Sequence, residues 1–405
     1  PTAPAYDPIK TGLFRFRKVA GKTLITNDLG RYHMLDDEQF QAFVSGTLPV
    51  GTPLHAQLVK DGFIRDQMDF DAMITTWSRR NRFLWQGPNL HVVVVTLRCN
   101  HRCLYCHASS VPMSDTSTDM TEATARQVVD RIFDTPNRAI TIEFQGGEPL
   151  ANWPVVKFIV EYARQKNKEA GKSLWLNLVT NLSLMDKEKL DWLLRRGVNF
   201  CTSLDGPADV HDRNRPWSGG ASHGEVMKWF KAINDRTRSK TFRVDALLTV
   251  TRLSLEKPRE IIDHYVGIGA RGIFLRPLNP YGMAAATWNK IGYSPEEFLA
   301  FYKVALDRVI EVNIKRTLRR PFLEQTARIF LAKILSDDDP NFLDLRSPCG
   351  AGVGQMAYNW DGGVFTCDEG RMLNRMGDDT FRIGKAGEGS YAETVGHPAV
   401  RALVV

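Results

Sequence analysis

The strongest constraint on the fold is a strand–helix pattern that repeats six times between residues 91 and 309. Each unit joins a short apolar or alternating run to a stretch whose apolar residues recur at helical spacing. The predicted strands are His91–Leu97, Ala139–Phe144, Leu174–Thr180, Phe200–Leu204, Val244–Val250 and Gly272–Arg276. A chain that crosses over through a helix returns to its sheet in the same direction, so these units predict a parallel sheet.

Six units are too few to close the usual eight-stranded barrel. The sequence therefore predicts an α/β fold with an open, partial (β/α)6 barrel of the TIM type over residues 89–318. Ligands of such sheets bind at the carboxyl ends of the strands. Most of the polar motifs described below follow a predicted strand, which places them at one edge of the sheet.

Residues 1–88 have a different pattern. Short strands are predicted at Leu13–Arg17, Thr23–Thr26 and Tyr32–Leu35, and short helices at Glu38–Phe43 and Leu54–Val59. The first of these strands alternates apolar and charged residues, so we expect it to be half-buried. The segment resembles small α+β winged-helix elements that bind a peptide as an added strand. The alternative is a structural cap.

Composition limits the classes of partner. The net charge of +7 is spread along the 405 residues rather than gathered in blocks, which does not favour a nucleic-acid partner. No apolar run approaches the ~20 residues of a membrane helix, so no membrane partner is expected. Six cysteines, three of them in one loop, suit a reducing compartment, and we expect a cytoplasmic protein.

A cysteine-rich loop follows the first predicted strand. It contains Cys99, Cys103 and Cys106 in the spacing Cys-x3-Cys-x2-Cys. Three thiolates from one short loop can hold three irons of a [4Fe–4S] cube and leave the fourth iron open for a ligand. The alternative is a structural zinc site completed by His101 or His107, because three Cys and one His are a common zinc ligand set.

A second motif ends the second predicted strand. Gly146 and Gly147 allow close backbone approach to a ligand, and Glu148, which precedes Pro149, can accept a hydrogen bond from an ammonium group. Together with the cysteine loop, this motif resembles those of radical S-adenosylmethionine (SAM) enzymes. The resemblance implies that the cysteines bind the cluster and that the Gly-Gly-Glu-Pro segment binds the amino group of SAM. It favours the cluster over zinc.

The same resemblance supplies three further candidates. Ser203, at the end of the fourth predicted strand, and Arg215 beyond it match a segment that holds the methionine carboxylate in peptide-modifying radical SAM enzymes. A planar guanidinium suits a carboxylate. Asn181, at the end of the third predicted strand, is either a ligand of the ribose or carboxylate or a plain turn residue.

Two late cysteines form a third motif. Cys349 and Cys367 flank Gly362 in the pattern Cys-x12-Gly-x4-Cys, and Asp361-Gly362 predicts a hairpin turn between them. The pattern resembles the first half of a SPASM domain, an extension that holds auxiliary iron–sulfur clusters. We expect residues 319–405 to be such an extension, incomplete, with both cysteines on an auxiliary [4Fe–4S] cluster. The alternative is two ordinary buried cysteines.

The resemblance also implies a reaction. Reductive cleavage of SAM at the cluster yields a 5′-deoxyadenosyl radical, which takes a hydrogen atom from a ribosomally made peptide, with electrons from a flavodoxin or ferredoxin type of donor. Three segments have sequences that resemble those of the His-Xaa-Ser system radical SAM maturases, namely Phe144–Pro149, Arg276–Pro280 and Cys367–Leu373. This resemblance implies an oxidative crosslink. The rivals are oxidation of Ser or Cys to formylglycine and a zinc-stabilised peptide-binding protein without catalysis.

Overall fold

The computed structural model describes residues 10–237, 245–315, 318, 320–336, 345 and 348–404. The chain forms two compact units. Unit 1 contains residues 1–84 and 329–341, and unit 2 contains residues 85–328 and 342–405. This division differs from the expected one in that residues 342–405 belong to the same unit as the strand–helix repeats.

Unit 1 contains a small antiparallel sheet and short helices. The sheet has the order β1 (Arg15–Val19), β2 (Lys22–Thr26) and β3 (Tyr32–Leu35). The helices are α1 (Asp37–Val44), α2 (Pro53–Lys60) and α3 (Phe70–Arg80), and α4 (Phe83–Gln86) follows. Helix α1 begins where Asp36 and Gln39 form a capping box, and α2 begins after Thr52 with a proline in its first position.

Strand β1 does not have the half-buried face that its sequence predicts. All five of its residues are exposed, and Phe16 is 63% exposed. The core of unit 1 is formed instead by β2, β3 and the helices, through the buried residues Ile25, Leu35, Phe43, Leu58, Phe63 and Ile64. The alternation in β1 therefore gave a correct strand but a wrong burial, because the core of unit 1 packs against β2 and β3 instead.

Unit 2 contains the predicted strand–helix repeats. Its strands are β4 (Leu90–Thr96), β5 (Ala139–Gly146), β6 (Ser173–Thr180), β7 (Val198–Ser203), β8 (Asp245–Thr249), β9 (Gly272–Ile273), β10 (Leu275–Arg276), β11 (Leu323–Glu324), β12 (Gln355–Tyr358), β13 (Gly363–Phe365) and β14 (Arg382–Lys385). The helices after residue 85 are α5 (Glu122–Phe133), α6 (Trp153–Ala170), α7 (Lys187–Arg195), α8 (Ala208–Asn214), α9 (Ser222–Arg236), α10 (Pro258–Gly267), α11 (Met283–Ile291), α12 (Pro295–Ile314), α13 (Gln325–Leu335), α14 (Asp368–Arg375), α15 (Tyr391–Val395) and α16 (Pro398–Val404).

The main sheet has nine strands in the order β10-β8-β7-β6-β5-β4-β12-β13-β14. Strands β4 to β8 and β10 are parallel neighbours, as the repeats predict. The sixth predicted strand is interrupted, since β9 pairs with β11 in a separate sheet and only β10 joins the main one. Val244 of the fifth predicted strand lies outside the described residues.

The sheet also gains strands that the repeats do not predict. Strand β12 pairs in parallel with β4, and β13 and β14 continue in antiparallel order. The predicted turn at Asp361-Gly362 does connect β12 to β13, and Gly362 has a φ of +87°, which favours glycine. The sheet is therefore mixed rather than purely parallel.

Side chains alternate between two faces of this sheet. On β5, Ile140, Ile142 and Phe144 pack into a core that includes Val128 and Ile159 of α5 and α6. The residues between them, such as Glu143, point the other way and are half-buried. We call the side opposite the helices the inner face. Among the described residues, no helix has the length and apolar character needed to cross a membrane.

Candidate active site

The cysteine loop is held by backbone hydrogen bonds on both sides. Its first cysteine donates from Cys99 N to Val111 O at 3.0 Å, and Cys106 O accepts from Met283 N at 2.9 Å. Between them, Arg102 N and Leu104 N donate to Pro216 O and Asn214 O, each at 2.9 Å. These four bonds fix the path of the loop, and its three cysteines are half-buried and unpaired by disulfides.

The Gly-Gly-Glu-Pro segment is bonded directly to the start of the cysteine loop. Gly147 N donates to Thr96 O at 3.0 Å, and Glu148 N donates to Arg98 O at 2.7 Å. Arg98 adds a paired interaction with Asp119 at 2.8 and 2.6 Å, and it also donates to Ala151 O at 2.7 Å. The structure thus brings the two sequence motifs together at the carboxyl ends of adjacent strands.

The two glycines serve this backbone contact. A Cβ atom on Gly146 would overlap the carbonyl oxygen of Thr96, and one on Gly147 would overlap those of Leu97 and Arg98. Gly146 also has a φ of +128°, a conformation that side-chain-bearing residues rarely adopt. The glycines therefore allow a close approach to the neighbouring strand end, whereas the sequence predicts a close approach to a ligand.

Glu148 is fully buried and accepts three hydrogen bonds. Its Oε1 accepts from Leu150 N at 3.0 Å and from Thr180 Oγ1 at 2.7 Å, and its Oε2 accepts from Asn181 N at 2.8 Å. Burial raises the pKa of this carboxyl, while the three donors lower it. The carboxylate therefore joins the end of β5 to the end of β6. Two oxygens have about four acceptor positions, so one remains for an ammonium group.

Asn181 connects this carboxylate to the cysteines. Its backbone donates to Glu148, and its side-chain Nδ2 lies 3.8 Å from Cys99 Sγ and donates to Asn100 Oδ1 at 3.1 Å. The next residue, Leu182, has a φ of +62° although it is not glycine. Such strain persists only where the surroundings impose it, and it is frequent at active sites. Asn181 therefore contacts both Glu148 and the start of the cysteine loop, and its Oδ1 also accepts from Ser183 N at 2.9 Å, as in a turn.

Arg215 reaches the cysteine loop through Tyr105. Its Nη1 donates to Tyr105 Oη at 2.6 Å, and the tyrosine donates to the two carboxylate oxygens of Asp205 at 2.8 and 2.7 Å. All three residues are buried. The buried guanidinium also acts electrostatically on Cys103. Ser203 is half-buried at the end of β7, two residues before Asp205.

The pKa values of two of the thiols are raised by their shared surroundings. Burial raises the pKa of Cys99, and Cys103 and Glu148 raise it further. Burial also raises the pKa of Cys103 to about 11, against the lowering effect of Arg215. Thiols with raised pKa values lose their protons readily only when a metal replaces them. Cys99 and Cys103 are therefore better suited to binding a metal group than to acting as free nucleophiles.

Histidines in the same loop leave polar atoms unpaired. Both ring nitrogens of His101 and Nε2 of His107 are buried without a hydrogen-bond partner, and His101 stacks on Trp217 with ring centres 5.7 Å apart. Burial lowers the pKa of His101 to about 3. Three soft sulfur donors fit an iron–sulfur cluster, and three sulfurs with one of these nitrogens are also a common zinc ligand set. A cube spreads its ligands over several metal atoms.

The zinc alternative gains no support from the geometry. Within the described ranges, no three side chains of His, Cys, Asp or Glu approach one another as they would around a single metal ion.

The late cysteines are not part of such a group either, within the same ranges. Cys349 is exposed, whereas Cys367 is buried, and its Sγ accepts from Gly370 N at 3.3 Å at the start of α14. Ser347 of this motif lies outside the described residues.

Several residues of this site are absent from the sequence-based prediction. They are Arg98, Asp119 and Asp205, each of which fixes a predicted residue or loop. Asp205 had an available signal, because it follows a predicted strand end by one residue. Asp119 had none, because its partner Arg98 is 21 residues away in an irregular segment.

Comparisons with known proteins agree with this geometry. Residues 93–265 match the radical SAM superfamily. The radical SAM cyclopropyl synthase TigE of Paramaledivibacter caminithermalis is 29% identical over 205 residues, which cover 46% of this chain and 40% of TigE. The chain spans 40% to 64% of the length of three such relatives.

Two solved structures share the fold. Native anSMEcpe with bound AdoMet is 19% identical, with a TM-score of 0.64 over 78% of this chain and 82% of that chain. Streptococcus suis SuiB bound to precursor peptide SuiA is 13% identical, with a TM-score of 0.56 over 98% of this chain and 90% of that chain. The three-cysteine loop at the end of β4 therefore lies in the part of this chain, residues 93–265, that matches the radical SAM superfamily, an enzyme superfamily that uses SAM and a [4Fe–4S] cluster.

Proposed function

We propose that this protein is a radical SAM maturase of a ribosomally made peptide. Cys99, Cys103 and Cys106 hold the [4Fe–4S] cluster, and the product is an oxidative crosslink in a substrate of the His-Xaa-Ser repeat type. The observation that carries the proposal is the direct bonding of the Gly-Gly-Glu-Pro segment to the cysteine loop, through Gly147 N to Thr96 O and Glu148 N to Arg98 O. It supports a SAM site beside the three thiols.

The bound cluster and SAM together supply a 5′-deoxyadenosyl radical that removes a hydrogen atom from an unactivated substrate carbon. The chain itself positions these groups and excludes water from them. Glu148 offers its remaining acceptor position to the SAM ammonium group, and Asn181, Ser203 and Arg215 surround the same strand ends. Tyr105 and Asp205 hold Arg215 near Cys103, where its positive charge offsets the charge of the thiolates.

The peptide is recognised by unit 1 in this proposal. Strand β1 is exposed and, in the part of the chain that the structure describes, pairs only with β2, which leaves an edge for an added strand. Nearby is a cavity of about 520 Å³ whose apolar lining includes Leu13, Leu29, Met73, Ile74 and Trp77. A patch of exposed apolar residues with a cavity is typical of a surface that binds a partner.

Residues 348–404 complete the proposal as a SPASM-like region. Cys349 and Cys367 bind an auxiliary [4Fe–4S] cluster that accepts the second electron of the oxidation. The support is the pairing of Gly352 N with Thr366 O at 2.7 Å, which brings the segments that carry the two cysteines together. The electron donor for the first cluster is a flavodoxin or ferredoxin, and the compartment is the cytoplasm.

The test is the mass of a candidate peptide co-expressed with this protein. A crosslink removes two hydrogen atoms and leaves no reactive carbonyl. Formylglycine from serine removes the same two atoms but gives an aldehyde, which an aldehyde-reactive hydrazide labels. An unlabelled product that has lost two hydrogen atoms supports the maturase proposal. A labelled product assigns the sulfatase-maturase type of oxidation instead, and an unmodified peptide contradicts both.

A further inference from the structure

The inner face of the main sheet carries a row of polar side chains that the proposed SAM chemistry does not use. Glu143 on β5 is the direct partner of Asn177 on β6, and Asn177 is the direct partner of Asn199 on β7. The three side chains therefore lie side by side across adjacent strands. We call Glu143, Asn177 and Asn199 the polar row. All three are half-buried, whereas their strand neighbours Ile142, Leu178 and Phe200 are buried in the helix-covered core.

Hydrogen bonds along the polar row lead to the carboxylate. Asn199 Nδ2 donates to Asn177 Oδ1 at 3.2 Å, and Asn177 Nδ2 donates to Glu143 Oε2 at 3.4 Å. Gln145, two residues further along β5, donates from Nε2 to Glu143 Oε1 at 2.7 Å. The hydrogen-bond donors to this carboxylate are thus the neutral amides of Gln145 and Asn177. In the described part of the chain, no lysine, arginine or histidine forms an ion pair with it.

The charged groups around the carboxylate do not neutralise it. Arg276 and Asp368 act on Glu143 in opposite directions, and burial raises the pKa of the carboxyl. Arg276 already faces Glu369 at 3.6 Å, and Arg371 pairs with Asp368 at 2.7 Å. Each nearby guanidinium therefore has its own carboxylate partner. Glu143 is the carboxylate left over, and a half-buried charge of this kind favours a cationic ligand.

The polar row borders a buried apolar cluster on the same face. Val92 on β4 is the direct partner of Glu143, and Ala357 on β12 is the direct partner of Val92. Val92, Ala357 and Phe365 form this cluster, and all three are buried. A cation that reaches a half-buried carboxylate beside apolar side chains needs an aliphatic stem, and a stem with a cationic end is the chemistry of a lysine or arginine side chain.

We propose that the polar row binds a lysine or arginine side chain of the substrate peptide, with Glu143 as the group that selects the positive charge. This inference rests on the proposed function, because it assumes a peptide substrate. Gly147 lies four residues after Glu143 in the sequence, just past the end of β5. This is a distance of ~13 Å at the rise of a parallel strand. A long side chain that reaches Glu143 therefore leaves its own backbone between the polar row and the cysteine loop.

The first test is binding of blocked pentapeptides, Ala-Ala-Xaa-Ala-Ala, to the full chain reconstituted anaerobically and saturated with SAM. Xaa is lysine, glutamine or norleucine, and affinity is measured by calorimetry. A charge-assisted hydrogen bond makes the lysine peptide roughly tenfold or more tighter than the norleucine peptide. Glu143→Gln reduces that ratio to near one, whereas Glu169→Gln on the outer helix α6 keeps it. Equal affinities for the lysine and norleucine peptides in wild type would overturn the inference.

A second test needs no variant. A zero-length carbodiimide couples the lysine amine to a neighbouring carboxyl as an amide, and peptide mapping by mass spectrometry locates the bond. The inference predicts a bond to Glu143 with the lysine peptide. Coupling only to surface carboxyls would contradict it. The same preparation is assayed without peptide for 5′-deoxyadenosine, so that a failed cation site and a failed SAM cleavage are observed separately.

Discussion

At the scale of single residues, Glu148 shows that a ligand-binding motif also holds the fold together. Its carboxylate is buried and satisfies Leu150 N, Asn181 N and the Thr180 hydroxyl. The sequence indicated a contact with SAM from the motif alone. It gave no sign of the three internal bonds, because Thr180 and Asn181 are more than 30 residues away and meet Glu148 only through the pairing of β5 with β6.

Glu148→Ala is therefore expected to change two properties. Each buried donor left without an acceptor costs ~1–3 kcal/mol, so the free energy of unfolding falls by several kcal/mol. SAM affinity per folded, iron-loaded molecule also falls, roughly tenfold to a hundredfold, because a charge-assisted bond is lost. Urea unfolding and SAM titration measure the two effects. Glu122→Ala in the exposed first turn of α5 is the control. Unchanged unfolding would show that the three internal bonds are not important.

His91 makes stability depend on pH. It is fully buried in β4, and burial lowers its pKa to about 3. An unfolded histidine has a pKa of about 6.5, so between these values the unfolded chain binds the extra proton and stability falls as the pH falls. Between pH 6.5 and pH 5 this one residue lowers the free energy of unfolding by about 2 kcal/mol. His91→Gln removes this contribution to the dependence of the free energy of unfolding on pH. Identical slopes for wild type and variant would contradict the assignment.

At the scale of secondary-structure elements, the sequence predicted what its local pattern encodes. The predicted strand Leu174–Thr180 agrees with β6 to within one residue, and the predicted helix Leu54–Val59 lies within α2. The edge to which β12 adds was not predictable. Val92 and Ala357 are partners in the sheet but lie far apart in the sequence, and no local pattern of apolar residues indicates that contact. The contact between Tyr105 and Asp205, which are 100 residues apart, had no local signal either.

Helix α3 provides an element-scale test of peptide recognition by unit 1. None of its residues is buried, and Ile74, which lines the cavity, is 61% exposed. Ile74→Asp is expected to weaken binding of the precursor peptide at least tenfold, while the unfolding midpoint stays close to that of wild type. Thr75→Asp adds the same charge to the same helix outside the cavity lining and serves as the control. Equal peptide binding by both variants would assign recognition elsewhere.

At the scale of the whole molecule, the late cysteines belong to a region that the sequence treats as separate. Residues 342–405 are part of unit 2, because β12 extends the main sheet beside β4. The sequence suggested an independent extension from its cysteine spacing. Spacing of this kind records a metal-binding pattern but not the surface against which the segment packs.

The double variant Cys349→Ala, Cys367→Ala tests the auxiliary cluster. If the two cysteines are ligands, iron content falls while 5′-deoxyadenosine is still formed, because the first cluster has its own three cysteines. Peptide modification is then lost, since the second electron has no acceptor. If they are ordinary residues, iron content and peptide modification are retained and stability falls modestly, because one of the two is exposed. Iron analysis and product analysis of the same sample separate these outcomes.

The central claim is that Cys99, Cys103 and Cys106 hold a cluster at which SAM is reductively cleaved. The most direct measurement is 5′-deoxyadenosine formed from SAM and dithionite by the anaerobically reconstituted protein, alongside its iron and sulfide content. We expect product from the wild-type protein and none from Cys103→Ala, while Cys201→Ala, on β7 outside the loop, retains activity. Product from Cys103→Ala equal to wild type, or zinc without sulfide in the wild-type protein, would contradict the claim.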